Sequence, residues 1–112
     1  MKDLENDGFI ELPGTSEFST NNAHMFYLKC RTLEIRTALI AYLKTHNIMA
    51  VFHYVPLHSA PAGLEFGVFH GIDRVTTNHS ERLVRLPLFY GLEKKQVKLI
   101  TTAIKSFYIG IN

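Results

Sequence analysis

Hydrophobic positions along this chain change period several times, and each change marks an element. From Ala23 to Cys30 the segment AHMFYLKC is aromatic and apolar with period two, which predicts a strand. Phe26, Leu28 and Cys30 share its more apolar face, and Met25, Tyr27 and Lys29 share the other. From Thr32 the period lengthens. Ile35, Leu39, Tyr42, Leu43 and His46 recur at the three-four spacing of an amphipathic helix. Thr32 supplies a capping oxygen, Glu34 a carboxylate where the helix dipole favours one, and Asn47 a residue that tolerates the left-handed exit. IMAVFHY, residues 48–54, is almost continuously apolar and predicts a second strand buried on both faces. Pro56 cannot donate to a ladder, so that strand ends near Tyr54.

Residues 55–76 carry Pro56, Pro61, Gly63, Gly67 and Gly71 and predict a long loop, of the kind that serves a function or a partner. Asn78 and Glu81 have capping-box spacing at the head of a short helix over HSERLVR, and RLPLF reads as a short extended piece broken at Pro87. A last helix starts near Glu93, with Val97, Ile100, Ala103, Ile104, Phe107 and Tyr108 as its buried stripe. Residues 1–20 are polar apart from the island FIEL, closed by Pro13 and Gly14, and read as a tail or connector carrying one short extended piece. Residues 21–112 then form the domain. The order of elements predicts an α+β fold, a small sheet with helices packed on one face. Parallel and antiparallel arrangements of the two main strands are both open at this point.

Composition narrows the picture. A chain of 112 residues supports one core. The net charge is only +2, with the basic residues scattered; Lys94, Lys95 and Lys98 fall on a solvated helix face, so no nucleic-acid partner is expected. No apolar stretch approaches the ~20 residues of a membrane span, and the acidic start MKDLENDGF has no signal-peptide character. The single cysteine, Cys30, excludes a disulfide framework within one chain, reads as a half-buried thiol, and suits a reducing, cytoplasmic setting.

The chemistry lies in imidazoles. His53 and His58 are on a strand end and a loop, without the one-turn spacing of a helical zinc pair and without a third ligand, so no metal site is expected. His46 and His79 fall at helix ends. His53 and Tyr54 differ, because a rigid strand delivers them to the mouth of the long loop, where either could hydrogen-bond a phosphate or a sugar hydroxyl. The sequence equally allows a satisfied core histidine beside a packing tyrosine. It contains no glycine-rich phosphate loop, no nucleophile elbow and no evident carboxylate couple, so no catalytic residue is assigned.

Three segments, NAHMFYLKC, IMAVFHYVPLHSAPAG and SERLVRLPLFYGL, resemble in order and spacing the C-terminal part of the DegT/DnrJ/EryC1/StrS sugar aminotransferases, over residues 21–109. Within that family the likeness is to the branch that aminates dTDP-4-keto-6-deoxyhexoses for lipopolysaccharide and related surface polysaccharides. The resemblance implies the small C-terminal domain of a fold type I enzyme that moves an amino group from glutamate to a 4-keto sugar nucleotide with pyridoxal phosphate. The family's chains are several times longer, and a large N-terminal domain holds the Schiff-base lysine. None of the seven lysines here stands in a matching motif, so the resemblance implies no cofactor site in this chain and no activity by itself. It places His53 and Tyr54 on the sugar-nucleotide side of a cleft, with His58 a second candidate, and lets His24 and Tyr27 shape the interior. The expected partners are the large domain, or a second copy through an exposed apolar face. The alternative reading is a stand-alone module that binds a sugar nucleotide or a protein without catalysis.

Overall fold

In the computed structural model, which describes residues 1–111, the chain runs α1 (Lys2–Asn6), β1 (Ile10–Glu11), β2 (Phe26–Cys30), α2 (Leu33–Thr45) and β3 (Val51–Phe52). A 3₁₀ turn (Leu57–Ser59), α3 (Pro61–Phe66), α4 (Thr76–Arg82), β4 (Leu83–Leu86) and α5 (Lys94–Gly110) follow. The strands form one antiparallel sheet in the order β1-β2-β4-β3. The expected α+β architecture therefore holds, and the question of strand direction is answered. The two main strands do not touch; β4 lies between them and pairs antiparallel with both, with Leu28 opposite Val84 and Phe52 opposite Val84 on the other side.

Local chemistry explains the elements. Thr32 is extended, and its hydroxyl accepts the Ile35 N–H at 3.3 Å, starting α2. Asn47 adopts φ of 57°, the left-handed exit expected after the last turn. Glu93 and Gln96 exchange side-chain and backbone bonds in a capping box that starts α5. Ile100, Ala103, Ile104, Phe107 and Tyr108 of α5 join Leu39 and Leu43 of α2 against Leu28, Cys30 and Val84 of the sheet. Only Val97 departs from the expected stripe, being half exposed at its start. Cys30 is fully buried rather than half-buried; the Tyr108 hydroxyl donates to its Sγ at 3.5 Å, and burial pushes both groups' pKa values up.

The N-terminal segment is more than a tail. Leu4 of α1 and Ile10 of β1 are core residues, and β1 extends the sheet beyond β2. Gly8, at φ of +72°, turns the chain between them, and the Arg31 Nε donates to its carbonyl at 2.6 Å. Lys105 of α5 pairs with Asp3 at 2.6 Å. Glu11 is held by Lys29 of β2 and Arg82 of α4. These cations, the Lys29 hydrogen bond foremost, keep the Glu11 carboxyl below its ordinary 4.5. A depressed carboxylate stabilises the fold above its unfolded pKa, and that contribution disappears as pH falls through the lower folded value. Amide exchange at Ile10 and Glu11 is accordingly expected to accelerate below about pH 4.5, and a Glu11→Gln variant to exchange fast at all pH values. Identical pH profiles in the two proteins would count against the clamp.

Three further expectations change. The run 48–54 is not buried on both faces: Ile48 and Ala50 are in the core, while Met49 is 83% and Val51 44% exposed. β3 is an edge strand whose outer face is apolar yet uncovered, and a continuous apolar run carries no trace of that difference. The long loop over 55–76 contains a 3₁₀ turn and the helix α3, which begins with Pro61 in the first turn, where a missing N–H costs nothing. Finally, α4 starts at Thr76 because Asp73, not Asn78, caps it, and the extended piece is LVRL, which ends before Pro87 and forms a central strand.

Candidate functional site

β3 ends at a groove. His53 continues its outer face, and the His53–Tyr54 peptide is cis. The two rings lie 3.9 Å apart, and the Ser80 hydroxyl of α4 donates to the Tyr54 carbonyl, fixing the strand exit against that helix. Between them opens a groove of about 780 Å³, lined by His53, Tyr54, Leu57, Thr76, His79 and Ser80. His53 is half-buried and Tyr54 is 69% exposed, so the histidine is not sealed in the core and the tyrosine ring stands largely open. Arg85 of β4 reaches the His53 Nδ1 at 3.3 Å. Burial first, then this guanidinium, lowers the imidazole pKa below its ordinary value.

A second groove, about 570 Å³, adjoins the first where the 3₁₀ turn meets α3, among Leu57, His58, Gly63, Phe66 and Phe69. His58 is not free at its rim. Its Nε2 meets Asp73 at 3.0 Å and its ring lies 4.4 Å from that of Phe69. Asp73 also accepts the N–H groups of Val75, Thr76 and Thr77 at 3.2, 2.9 and 3.1 Å, together with the Thr77 hydroxyl. That hydroxyl, then the backbone donors, hold its carboxyl below the usual carboxylate range. One carboxylate therefore caps α4 and ties the 57–66 excursion to it. Asp73→Ala is expected to raise amide exchange over 57–77 roughly tenfold, as lost caps do, with the sheet unaffected. Exchange rates unchanged at those amides would show that the tie carries nothing.

The remaining sequence candidates are placed elsewhere. His24 is exposed and Tyr27 lies on the outer face of the sheet, opposite Arg85, so neither shapes the interior. His46 caps the end of α2 through the Tyr42 carbonyl, and His79 meets Lys29 at 3.4 Å. Sequence reasoning missed Asp73 and Arg85. Asp73 preceding the pair Thr76-Thr77 was the available signal for a cap. Arg85 carried none, because its partner is joined to it only by strand pairing.

The chemistry on offer is specific. An imidazole, a phenol, two hydroxyls and aliphatic walls can hydrogen-bond a sugar or phosphate and cover an apolar surface. Among the described residues, no lysine lines either groove, and the Lys29 amine is engaged by Glu11 and His79. These side chains do not fit a pyridoxal phosphate cradle, which needs an amine anchor and a set of phosphate donors. No described helix is long and apolar enough to cross a membrane.

The sequence profile of the DegT/DnrJ/EryC1/StrS aminotransferase family matches residues 1–105. Solved structures share the fold. The aminotransferase TlmJ from Streptoalloteichus hindustanus superimposes with a TM-score of 0.83 at 17% identity, over 99% of this chain and 29% of its own. A DegT DnrJ EryC1 StrS aminotransferase from Brucella abortus gives 0.77 at 22% identity, over 95% of this chain and 27% of its own. Spr1654 from Streptococcus pneumoniae, named as a sugar aminotransferase and seen in its PMP form, gives 0.76 at 22% identity, over 99% and 30%. The chain thus spans less than a third of the length of each of these structures.

Proposed function

This chain belongs to the DegT/DnrJ/EryC1/StrS aminotransferase family, and on that footing we propose that it is the small domain of a pyridoxal-phosphate-dependent sugar-nucleotide aminotransferase. Its part is to wall one side of the substrate cleft. His53 and Tyr54 offer the hydrogen bonds to the sugar nucleotide, and His58 holds the loop that completes the wall. The observation that carries this reading is the uncovered groove at the end of β3, with rigid strand backbone behind it and apolar surface around it. The three sequence segments support the finer assignment: transfer of an amino group from glutamate to a dTDP-4-keto-6-deoxyhexose, as in dTDP-4-amino-4,6-dideoxygalactose transaminase, for surface polysaccharide.

Covalent chemistry is assigned to polypeptide outside these residues, because the grooves lack an amine and a phosphate cradle. The outer face that carries Met49, Val51 and Phe89 is read as the seat of the large domain, or of a second copy of this chain. Those side chains are 44% to 83% exposed, an apolar area that monomers seldom leave open.

The test uses the purified chain. With glutamate, pyridoxal phosphate and a dTDP-4-keto sugar it should show no turnover, and borohydride reduction should leave no stoichiometric pyridoxyl adduct on any lysine. Titration with dTDP should move amide signals of residues 52–58 and 76–80 only. Turnover by the chain alone, or shifts confined to another surface, would overturn the reading.

A further inference from the structure

Met49, Val51 and His53 alternate onto the outer face of β3, and Arg85, paired with Val51, projects from the same face of β4. A guanidinium has five N–H donors and no lone pair to offer. Its contact with the His53 Nδ1 at 3.3 Å therefore requires that nitrogen to accept, which leaves the single proton of the neutral ring on Nε2. We propose that Arg85 is a positioning residue that holds His53 as a neutral Nε2–H donor, so that this wall of the cleft recognises an oxygen acceptor on its ligand. The proposal rests on the cleft-wall reading for the identity of that ligand, but not for the state of the ring.

The chemical consequence is restrictive. With Nδ1 occupied by Arg85 and Nε2 carrying the proton, His53 has no free lone pair with which to abstract a proton. It can donate to a phosphate, carbonyl or hydroxyl oxygen of a sugar nucleotide, and it selects against a donor at that position. Protonating the ring would set two cations side by side. The groups that face it are Arg85 from β4, the Tyr54 ring at 3.9 Å and, across the groove, His79 of α4. Among the described residues no carboxylate lines this groove to offset the charge. Burial and Arg85 accordingly both lower the imidazole pKa.

Long-range proton–nitrogen correlation spectra of the nitrogen-15-labelled chain read the tautomer and the titration directly. In the unaltered chain His53 should show one tautomer, protonated at Nε2, and titrate below 6.5. Arg85→Leu should populate the second tautomer and raise the midpoint, while Arg85→Lys should keep it low. A merely structural role for Arg85 would leave both readouts where they are, provided the sheet amide signals show the fold intact. A proton on Nδ1 in the unaltered chain, or an unchanged midpoint in Arg85→Leu, overturns the proposal. A second arm uses dTDP as probe. His53→Gln, whose amide N–H sits where Nε2–H does, should keep the affinity of the unaltered chain, whereas His53→Asn should lose it by roughly tenfold, the value of one hydrogen bond. Equal affinities of these two variants would overturn the donor role. Correct tautomer and titration with no response of any variant to dTDP would instead overturn the sugar-nucleotide reading and leave the ring assignment standing.

Discussion

Leu28→Ala is expected to cost the fold about 2–5 kcal/mol, the range for emptying a leucine site in a packed core. Leu28 has no exposed surface and lies at the middle of β2, opposite Val84 of β4. The sheet's inner face meets both long helices here, so no neighbour can collapse into the gap without moving a helix. A domain this small has a stability near the lower end of roughly 5–15 kcal/mol, so the loss removes a large part of it. Urea unfolding followed by circular dichroism gives the result as a shift in midpoint at constant slope. Met49→Ala is the control. It also removes a large apolar side chain from the neighbourhood of the sheet, but Met49 is 83% exposed and should change stability by no more than about 0.5 kcal/mol. Equal midpoints for the two variants would mean that the division between inner and outer faces is misdrawn.

That division is also where the sequence was least legible. Helices α2 and α5 announced themselves through period and caps, because both signals are local: Thr32 bonds three residues on, and Glu93 and Gln96 bond each other. The strand at 48–54 was visible as apolar but not as one-sided, since Met49 and Val51 are as hydrophobic as Ile48 and Ala50. Hydrophobicity records that a surface needs cover, not whether this chain supplies it. That Leu4 and Ile10 join the core was not legible for a different reason. Each belongs to an element too short to show a period, and only the turn at Gly8 and the anchors from Arg31 and Lys105 bring them to the core. At the site, His53 and Tyr54 were readable from their place at a strand end. Their partners were not: Arg85 meets His53 through strand pairing, and Asp73 meets His58 through the fold of the excursion. Contacts made by topology leave no spacing to read.

The excursion itself should fail independently of the core, and Gly63→Ala is the substitution that separates them. A methyl group on Gly63 would stand 1.7 Å from the Leu57 carbonyl oxygen and 2.8 Å from its carbon. Both are backbone atoms of the 3₁₀ turn, so no side-chain rotation relieves the overlap. The turn and α3 must part, which takes His58 away from Asp73 and Phe69 and opens the second groove. None of the buried core residues lies between Val51 and Leu83, so the sheet and the long helices have no contact to lose from the core. The expected result is local: amide protection over 57–72 falls to that of an open chain, the His58 ring signals approach those of a solvated histidine, and the urea midpoint of the sheet stays within error of the unaltered chain. Asp73→Ala should loosen the same stretch more mildly, because it removes the tie without forcing a clash. If Gly63→Ala instead lowered the global midpoint as Leu28→Ala does, the excursion would be part of the cooperative unit and not a wall hung on a rigid strand end. Unaltered protection over 57–72 would show that the turn and α3 do not pack as closely as their backbone atoms require.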